Sequence, residues 1–202
     1  KADFNQDGFE DFFMGGAKFQ RGKIFLSTNN NGFEEVKNLD LQKDSKYEDT
    51  DAAAFDIDKD GDLDLYVVSG GNEYKELDKN YMDRIYLNDG HGSFTRLQIS
   101  LPKTNGSSVS VSDFNNDGYD DLFLGSRSIT GFYGLSPYSF IMLNNGDRTF
   151  SIIEQQRYGM ITDSKWTDIN SDGKEDLILV GDWMPITILI QEDNLKFTNK
   201  TK

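Results

Sequence analysis

One acidic nine-residue phrase recurs four times, and it constrains this chain more tightly than any other feature. It reads D-x-[DN]-x-D-G-x-x-D, starting at Asp3, Asp56, Asp113 and Asp168, so the copies lie 53, 57 and 55 residues apart. Oxygen-bearing side chains fall at positions 1, 3, 5 and 9 of each copy, and a glycine falls at position 6. A hard divalent cation needs this from a short loop. Calcium takes about 6–8 oxygens, and several carboxyl or amide groups plus a backbone carbonyl nearly complete that shell. The glycines Gly8, Gly61, Gly118 and Gly173 permit the sharp turn that aims those oxygens inward. A fixed period of this length implies a propeller, a solenoid or an array rather than an irregular domain.

The charge fits that reading. The 202 residues include 21 basic and 35 acidic ones, for a formal net charge of −14. Such a balance argues against nucleic acid, which demands clustered Lys and Arg. Four divalent cations would offset more than half of the charge. There is no cysteine, so repeated metal clips stand in for disulfides as staples. No apolar run approaches the ~18 residues of a membrane span, and no basic-then-apolar signal segment is visible. Lys1 stands just before the first loop, as expected of a processed or cut end.

Around each loop the same strand pattern returns. An apolar run follows at once: Phe12 to Gly15, Leu65 to Val68, Leu122 to Gly125 and Leu177 to Gly181. A second run comes next at Lys23 to Leu26, Arg84 to Leu87, Phe140 to Leu143 and Thr187 to Ile190. Tight hairpin turns are expected at Asn30-Asn31-Gly32, Asn88-Asp89-Gly90 and Asn144-Asn145-Gly146, because these residues accept positive φ. A third strand then carries Phe33, Phe94, Phe150 or Phe197. One more strand precedes each later loop, at Ala52 to Phe55, Val109 to Ser112 and Ser164 to Thr167. Each unit is thus four short antiparallel strands, with the acidic loop joining the first to the second. That is how a β-propeller blade is built. The expected architecture is all-β, one domain over 1–202 with repeats at roughly 1–47, 48–105, 106–160 and 161–202. Only Lys1 and Ala2 stand where the first innermost strand belongs. Either the chain is a segment of a larger propeller or its last segment completes the first blade. Helical periodicity is absent, apart from a turn or two between Tyr74 and Met82.

These loops are not EF-hands, which need a bidentate glutamate at position 12 and a following helix. Position 12 here is Met14, Val67, Leu124 or Leu179, all within strands. The motif, its spacing and the strand behind it resemble the FG-GAP/VCBS repeats of integrin α-subunit propellers. The stretches from Asp51 to Gly71 and from Ser164 to Trp183 are closer in style to secreted bacterial proteins related to cartilage acidic protein. The resemblance covers nearly the whole chain. It implies calcium held by side chains at positions 1, 3, 5 and 9 and by the carbonyl of position 7. The first loop then uses Asp3, Asn5, Asp7, Phe9 and Asp11. The second uses Asp56, Asp58, Asp60, Asp62 and Asp64. The third uses Asp113, Asn115, Asp117, Tyr119 and Asp121, and the fourth Asp168, Asn170, Asp172, Lys174 and Asp176. Up to four structural Ca²⁺ ions follow. Loop two carries an aspartate at position 3 where the others carry asparagine, so it is expected to bind most tightly. Extracellular calcium modules work at about 10⁻⁴–10⁻³ M, which places the protein outside the cell or on its surface.

Two long inter-strand segments, Asn72 to Asp83 and Arg127 to Tyr138, break the economy of the repeat. They are candidates for binding, with edge-covering the plainer reading. Trp183 is assigned to packing and Trp166 to the core. His91, the single histidine, sits in a turn with no nucleophile motif beside it. The expected function is a non-catalytic, calcium-stabilised binding or adhesion scaffold for a protein or glycan, with no nucleic acid and no membrane insertion. The alternative is a propeller within a polysaccharide-lyase-like enzyme or a lectin-like glycan-binding domain.

Overall fold

In the computed structural model, which describes residues 1–28 and 32–201, the repeats become four antiparallel sheets in chain order. The first contains β1 (Phe12–Met14), β2 (Lys23–Thr28) and β3 (Gly32–Glu35), followed by a short helix α1 (Leu39–Lys43). The second contains β4 (Asp49–Phe55), β5 (Asp64–Ser69), β6 (Arg84–Asn88) and β7 (Phe94–Arg96). The third contains β8 (Gly106–Ser112), β9 (Asp121–Ser126), β10 (Ser139–Asn144) and β11 (Phe150–Gln156). The fourth contains β12 (Met160–Thr167), β13 (Asp176–Asp182), β14 (Thr187–Glu192) and β15 (Lys196–Asn199). In the last three sheets the acidic loop joins the first strand to the second, as expected. In the first sheet the innermost place holds only a bridge between Ala2 and Asp11.

The first strands β4, β8 and β12 begin three or four residues earlier than the apolar pattern indicates. Each carries an irregularity in its pairing, between Asp49 and Asp51, Gly106 and Ser108, and Ile161 and Asp163. A bulge spoils the two-residue alternation that marks a strand, so the pattern goes silent there. The hairpins differ as well. β6 and β7 are joined by residues 89–93, and β10 and β11 by 145–149. Positive φ falls on Gly90 and Gly92, and on Gly146 and Arg148, rather than on an Asn-Gly pair. These are five-residue loops, not two-residue turns. The Asp89 carboxylate organises the first by accepting from the His91 and Ser93 amides. The turn expected at Asn30 and Asn31 lies outside the described residues. Helix α1 was not expected. Asn38 caps it by accepting from the Asp40 and Leu41 amides, and it buries only Leu41, too little apolar periodicity to read. Between Tyr74 and Met82 there is one 3-10 turn, Lys79–Tyr81.

The core lies between successive sheets, not within any one of them. Strands β5 and β9 are buried along their whole length. Position 2 of each acidic loop is apolar, and in the first three loops it plugs into the next sheet's cluster. Phe4 packs with Leu65, Val67, Tyr86 and Phe94, while Ile57 joins a cluster with Leu122, Leu124 and Phe140. Phe114 stacks on Trp166, with ring centroids 4.9 Å apart. Burying such a side chain stabilises by about 1.5–3 kcal/mol. Trp166 is core, as expected. The first strands also touch one another. The Thr50 hydroxyl donates to the Gly106 carbonyl, the Ser107 hydroxyl to the Ile161 carbonyl, and the Asp51 carboxylate accepts from the Val109 amide.

Candidate metal loops

Loops one, three and four share one internal network. The position-1 carboxylates of Asp3, Asp113 and Asp168 accept from the amides of positions 5 and 6. The position-5 carboxylates of Asp7, Asp117 and Asp172 accept from the position-7 amides of Phe9, Tyr119 and Lys174. The asparagines Asn5, Asn115 and Asn170 work at both ends. Each amide oxygen accepts from the position-5 backbone, and each amide nitrogen donates to the position-5 carboxylate. Position 4 adopts positive φ in all four loops, at Gln6, Lys59, Asn116 and Ser171. Side-chain capping of the backbone offsets that strain locally. These three loops largely satisfy themselves within the turn, although Asp121 Oδ2, at position 9 of loop three, is buried without a partner.

Loop two does not. Asp58 replaces the asparagine, so no amide nitrogen is available to neutralise Asp60. One oxygen from each of Asp56, Asp58 and Asp64 lies within 4.8 Å of the others, the single such group among the described residues. Asp56 Oδ1 and Asp58 Oδ1 are buried and have no hydrogen-bond partner. Burial pushes the Asp64 carboxyl up to about 7, against the two backbone amides it accepts from, and Asp58 and Asp60 add to the rise. Burial likewise raises Asp60, helped by the charges of Asp58, Asp62 and Asp56. Carboxylates gathered this way want a cation, and unpartnered buried oxygens carry a desolvation cost that one would relieve. The residues therefore fit a hard divalent ion. The Arg148 guanidinium already reaches Asp58 Oδ2 at 2.6 Å from the third sheet.

The loops are also fastened to their neighbours. Gln6 Nε2 donates to the Gly61 carbonyl and to Asp62 Oδ1 at 2.7 Å. The Lys59 ammonium sits 4.3 Å over the Tyr119 ring. Position 9 is a bracket: Asp11, Asp64, Asp121 and Asp176 are all buried. Each accepts from a backbone amide at or one residue before the end of a strand of its own sheet, at Ser27, Asn88, Asn144 and Gln191 respectively. Asp11, Asp64 and Asp176 also accept from their own position-2 amide. Side chains of Asn88, Asn144 and Gln191 then reach back one sheet, donating to the carbonyls of Phe4, Ile57 and Phe114. Sequence reasoning took Asn88 and Asn144 for turn formers and passed over Gln191. The available signal was an amide residue at the same place after the second apolar run of units two, three and four, where the first unit has Ser27.

The sequence profile of the FG-GAP-like repeat family matches residues 3–67 and 68–124, more than half of the chain. The chain belongs to the FG-GAP-like repeat family. No curated protein sequence matches it. Among solved structures, it is similar to one described as the structural basis of specific recognition of non-reducing terminal N-acetylglucosamine by an Agrocybe aegerita lectin. The likeness has a TM-score of 0.58 and 16% identity over 98% of this chain and 49% of that one. This chain thus spans about half the length of that lectin, and at such identity the likeness concerns the fold.

The ends of the FG-GAP-like sheets away from the acidic loops carry the two long segments. The first, Asn72 to Asp83, is packed at its far end and exposed before it: Tyr81 is buried and the Tyr74 hydroxyl donates to the Lys46 carbonyl, while Leu77 stands exposed. The second leaves Phe132, Tyr133 and Leu135 exposed. Arg127, Tyr133 and Tyr138 do not form one patch. Tyr138 lies under Arg157, beside a cavity of about 110 Å³, whereas Arg127 and Tyr133 face the fourth sheet. Trp183, assigned to packing from sequence, is 80% exposed. His91 is exposed, as expected. Among the described residues no helix is long and apolar enough to cross a membrane.

Proposed function

We propose that this chain is a calcium-stabilised β-propeller module that works outside the cell or on its surface as a non-catalytic binding scaffold. The observation that carries the metal assignment is the pair of buried, unpartnered oxygens on Asp56 and Asp58, converging with Asp64. In loop two Asp56, Asp58, Asp60 and Asp64 would hold the ion with the Asp62 carbonyl. Loops one, three and four would use the equivalent side chains and the carbonyls of Phe9, Tyr119 and Lys174. Bound calcium supplies charge neutralisation and a rigid corner between two strands. The residues themselves do the rest: the position-1 carboxylate caps the turn, and the position-9 carboxylate ties the loop to the next hairpin.

Radial assembly is supported by the interlocked first strands and by the position-2 plugs. Ile169, whose counterparts are buried, is 41% exposed, and Asp163 holds the place from which Asp51 reaches the Val109 amide. Both fit a further sheet of the same kind beside the fourth. A glycan ligand is the second reading, favoured by the solved lectin of similar fold, whose description names N-acetylglucosamine.

Thermal unfolding with calcium, with magnesium and with a chelator tests the metal assignment. Calcium at about 100 times its Kd adds roughly 2.7 kcal/mol per site, which for a chain of this size raises Tm by about 5–10 °C. A melting curve indifferent to calcium, or one that magnesium shifts equally, would sink it.

A further inference from the structure

Strands β9 and β13 run away from the acidic loops, and the segments that follow them meet at the far rim. There Trp183 has a left-handed backbone, φ 53°, uncommon for a bulky residue. Such strain collects at functional sites. The Tyr133 ring holds the indole in an edge-to-face contact, 5.2 Å between centroids at 77°. Gly134 permits this approach, because a Cβ there would stand 3.1 Å from the indole. The indole is nonetheless 80% exposed, so it is braced rather than packed. Beside it Arg127 Nε donates to Asp182 Oδ2 at 2.8 Å, with the guanidinium half-exposed. Arg127 also lines a cleft of about 320 Å³, together with Glu48, Asn105, Ser107, Ser128 and Thr162.

We propose that this rim is a binding site for a neutral saccharide, with Trp183 and Tyr133 as the stacking platform and the Arg127–Asp182 pair and the amide and hydroxyl groups of the cleft as hydroxyl readers. A sugar ring has one face of polarised C–H groups, which the negative face of an aromatic ring attracts. Its rim of hydroxyls needs donors and acceptors side by side. Guanidinium, carboxylate, amide and hydroxyl groups supply both. Arg127 is already matched by Asp182, so the site offers no uncompensated cation to a phosphate or a carboxylate. The cleft sits at the small end of the about 300–1,000 Å³ usual for ligand sites, the scale of one or two sugar rings rather than of a protein surface. The inference rests on the binding-module reading and names its ligand class.

The test is an array of neutral mono- and oligosaccharides, including N-acetylglucosamine-terminated ones, with sialylated and sulfated glycans as charged controls. The 202-residue chain is applied in calcium, and hits are measured by titration. Binding should favour neutral glycans and perturb indole fluorescence through Trp183, since the other tryptophan, Trp166, is buried. Trp183→Ala should weaken binding at least about tenfold, Trp183→Phe should retain most of it, and Arg127→Ala should weaken it severalfold. Each variant should keep the calcium-dependent melting of the parent. Neutral-glycan binding that survives both Trp183→Ala and Arg127→Ala places the site elsewhere and overturns the proposal while sparing the scaffold reading. Failure of every neutral glycan, with calcium stabilisation intact, overturns the ligand class. Loss of calcium stabilisation in the parent chain would instead count against the scaffold reading itself.

Discussion

Loops two and three have nearly the same backbone and the same place in their sheets, yet they keep their charges differently. In loop three the Asn115 amide nitrogen reaches Asp117 at 2.8 Å, so the loop carries its own partial counter-charge. In loop two the same position is Asp58, and three carboxylates converge around two unpartnered oxygens. Loop two alone of the two takes an outside charge, Arg148 on Asp58, while both receive a side-chain amide from the next sheet on the position-2 carbonyl, Asn144 on Ile57 and Gln191 on Phe114. One atom exchanged for another, amide nitrogen for carboxylate oxygen, removes the loop's own counter-charge and leaves that burden to Arg148 and, on the proposed assignment, to calcium. A short acidic loop can therefore change how its charge is balanced without any change of fold.

The strongest way to break this comparison is through the outside support. Asn144→Ala leaves the buried Ile57 carbonyl without its donor and should destabilise the chain by about 1–3 kcal/mol in chemical denaturation. A loss below that would show that loop two does not depend on its neighbour. Next comes the exchange itself. Asp58→Asn should weaken the tightest calcium site about tenfold, and Asn115→Asp should strengthen loop three by a similar factor, because ligand charge count tunes such loops. Calorimetric titration that leaves the tightest site unchanged in Asp58→Asn would place it in another loop. Arg148→Ala should produce a smaller, two-sided effect. The ion pair is half-exposed at the arginine end, so without calcium the loss of stability stays under about 1 kcal/mol. With the guanidinium gone, calcium should bind severalfold more tightly. Weaker binding would mean that Arg148 organises the site rather than competing for it.

The smallest expected effect is one of pH. Burial holds Asp64 and Asp121 at about 7 in the folded chain, well above their ordinary range. The folded state therefore binds protons there that the unfolded state does not. Calcium-free protein should gain stability as pH falls from about 7 toward 4, and lose it as pH rises back through 7. Calcium, which must displace those protons, should bind less well over the same descent. Melting curves at several pH values, with chelator and with calcium, should diverge in opposite directions. Parallel curves would remove Asp64 from the candidate ligands.

Most of the sheet content could be read from the chain because strands and acidic turns are short-range features. The runs from Leu65 to Val68 and from Leu122 to Gly125 announce buried strands, and the glycine at position 6 announces the turn. The bulged starts of β4, β8 and β12 could not be read, since a bulge interrupts the alternation that signals a strand. Helix α1 was hidden for the opposite reason: five residues with one buried leucine make no periodic pattern.

The nine-residue loops, their order and the strands behind them were determined by sequence alone, because each depends on groups a few residues apart, where backbone stereochemistry and side-chain capping leave little choice. Tertiary structure decided which carboxylates come together uncompensated, that Asn144 serves a loop 87 residues away, and that Trp183 stands braced in solvent rather than packed. Those outcomes depend on how one sheet sits against the next. That placement follows from side-chain volumes and from hydrogen bonds between separate repeats, which no local pattern in the chain records.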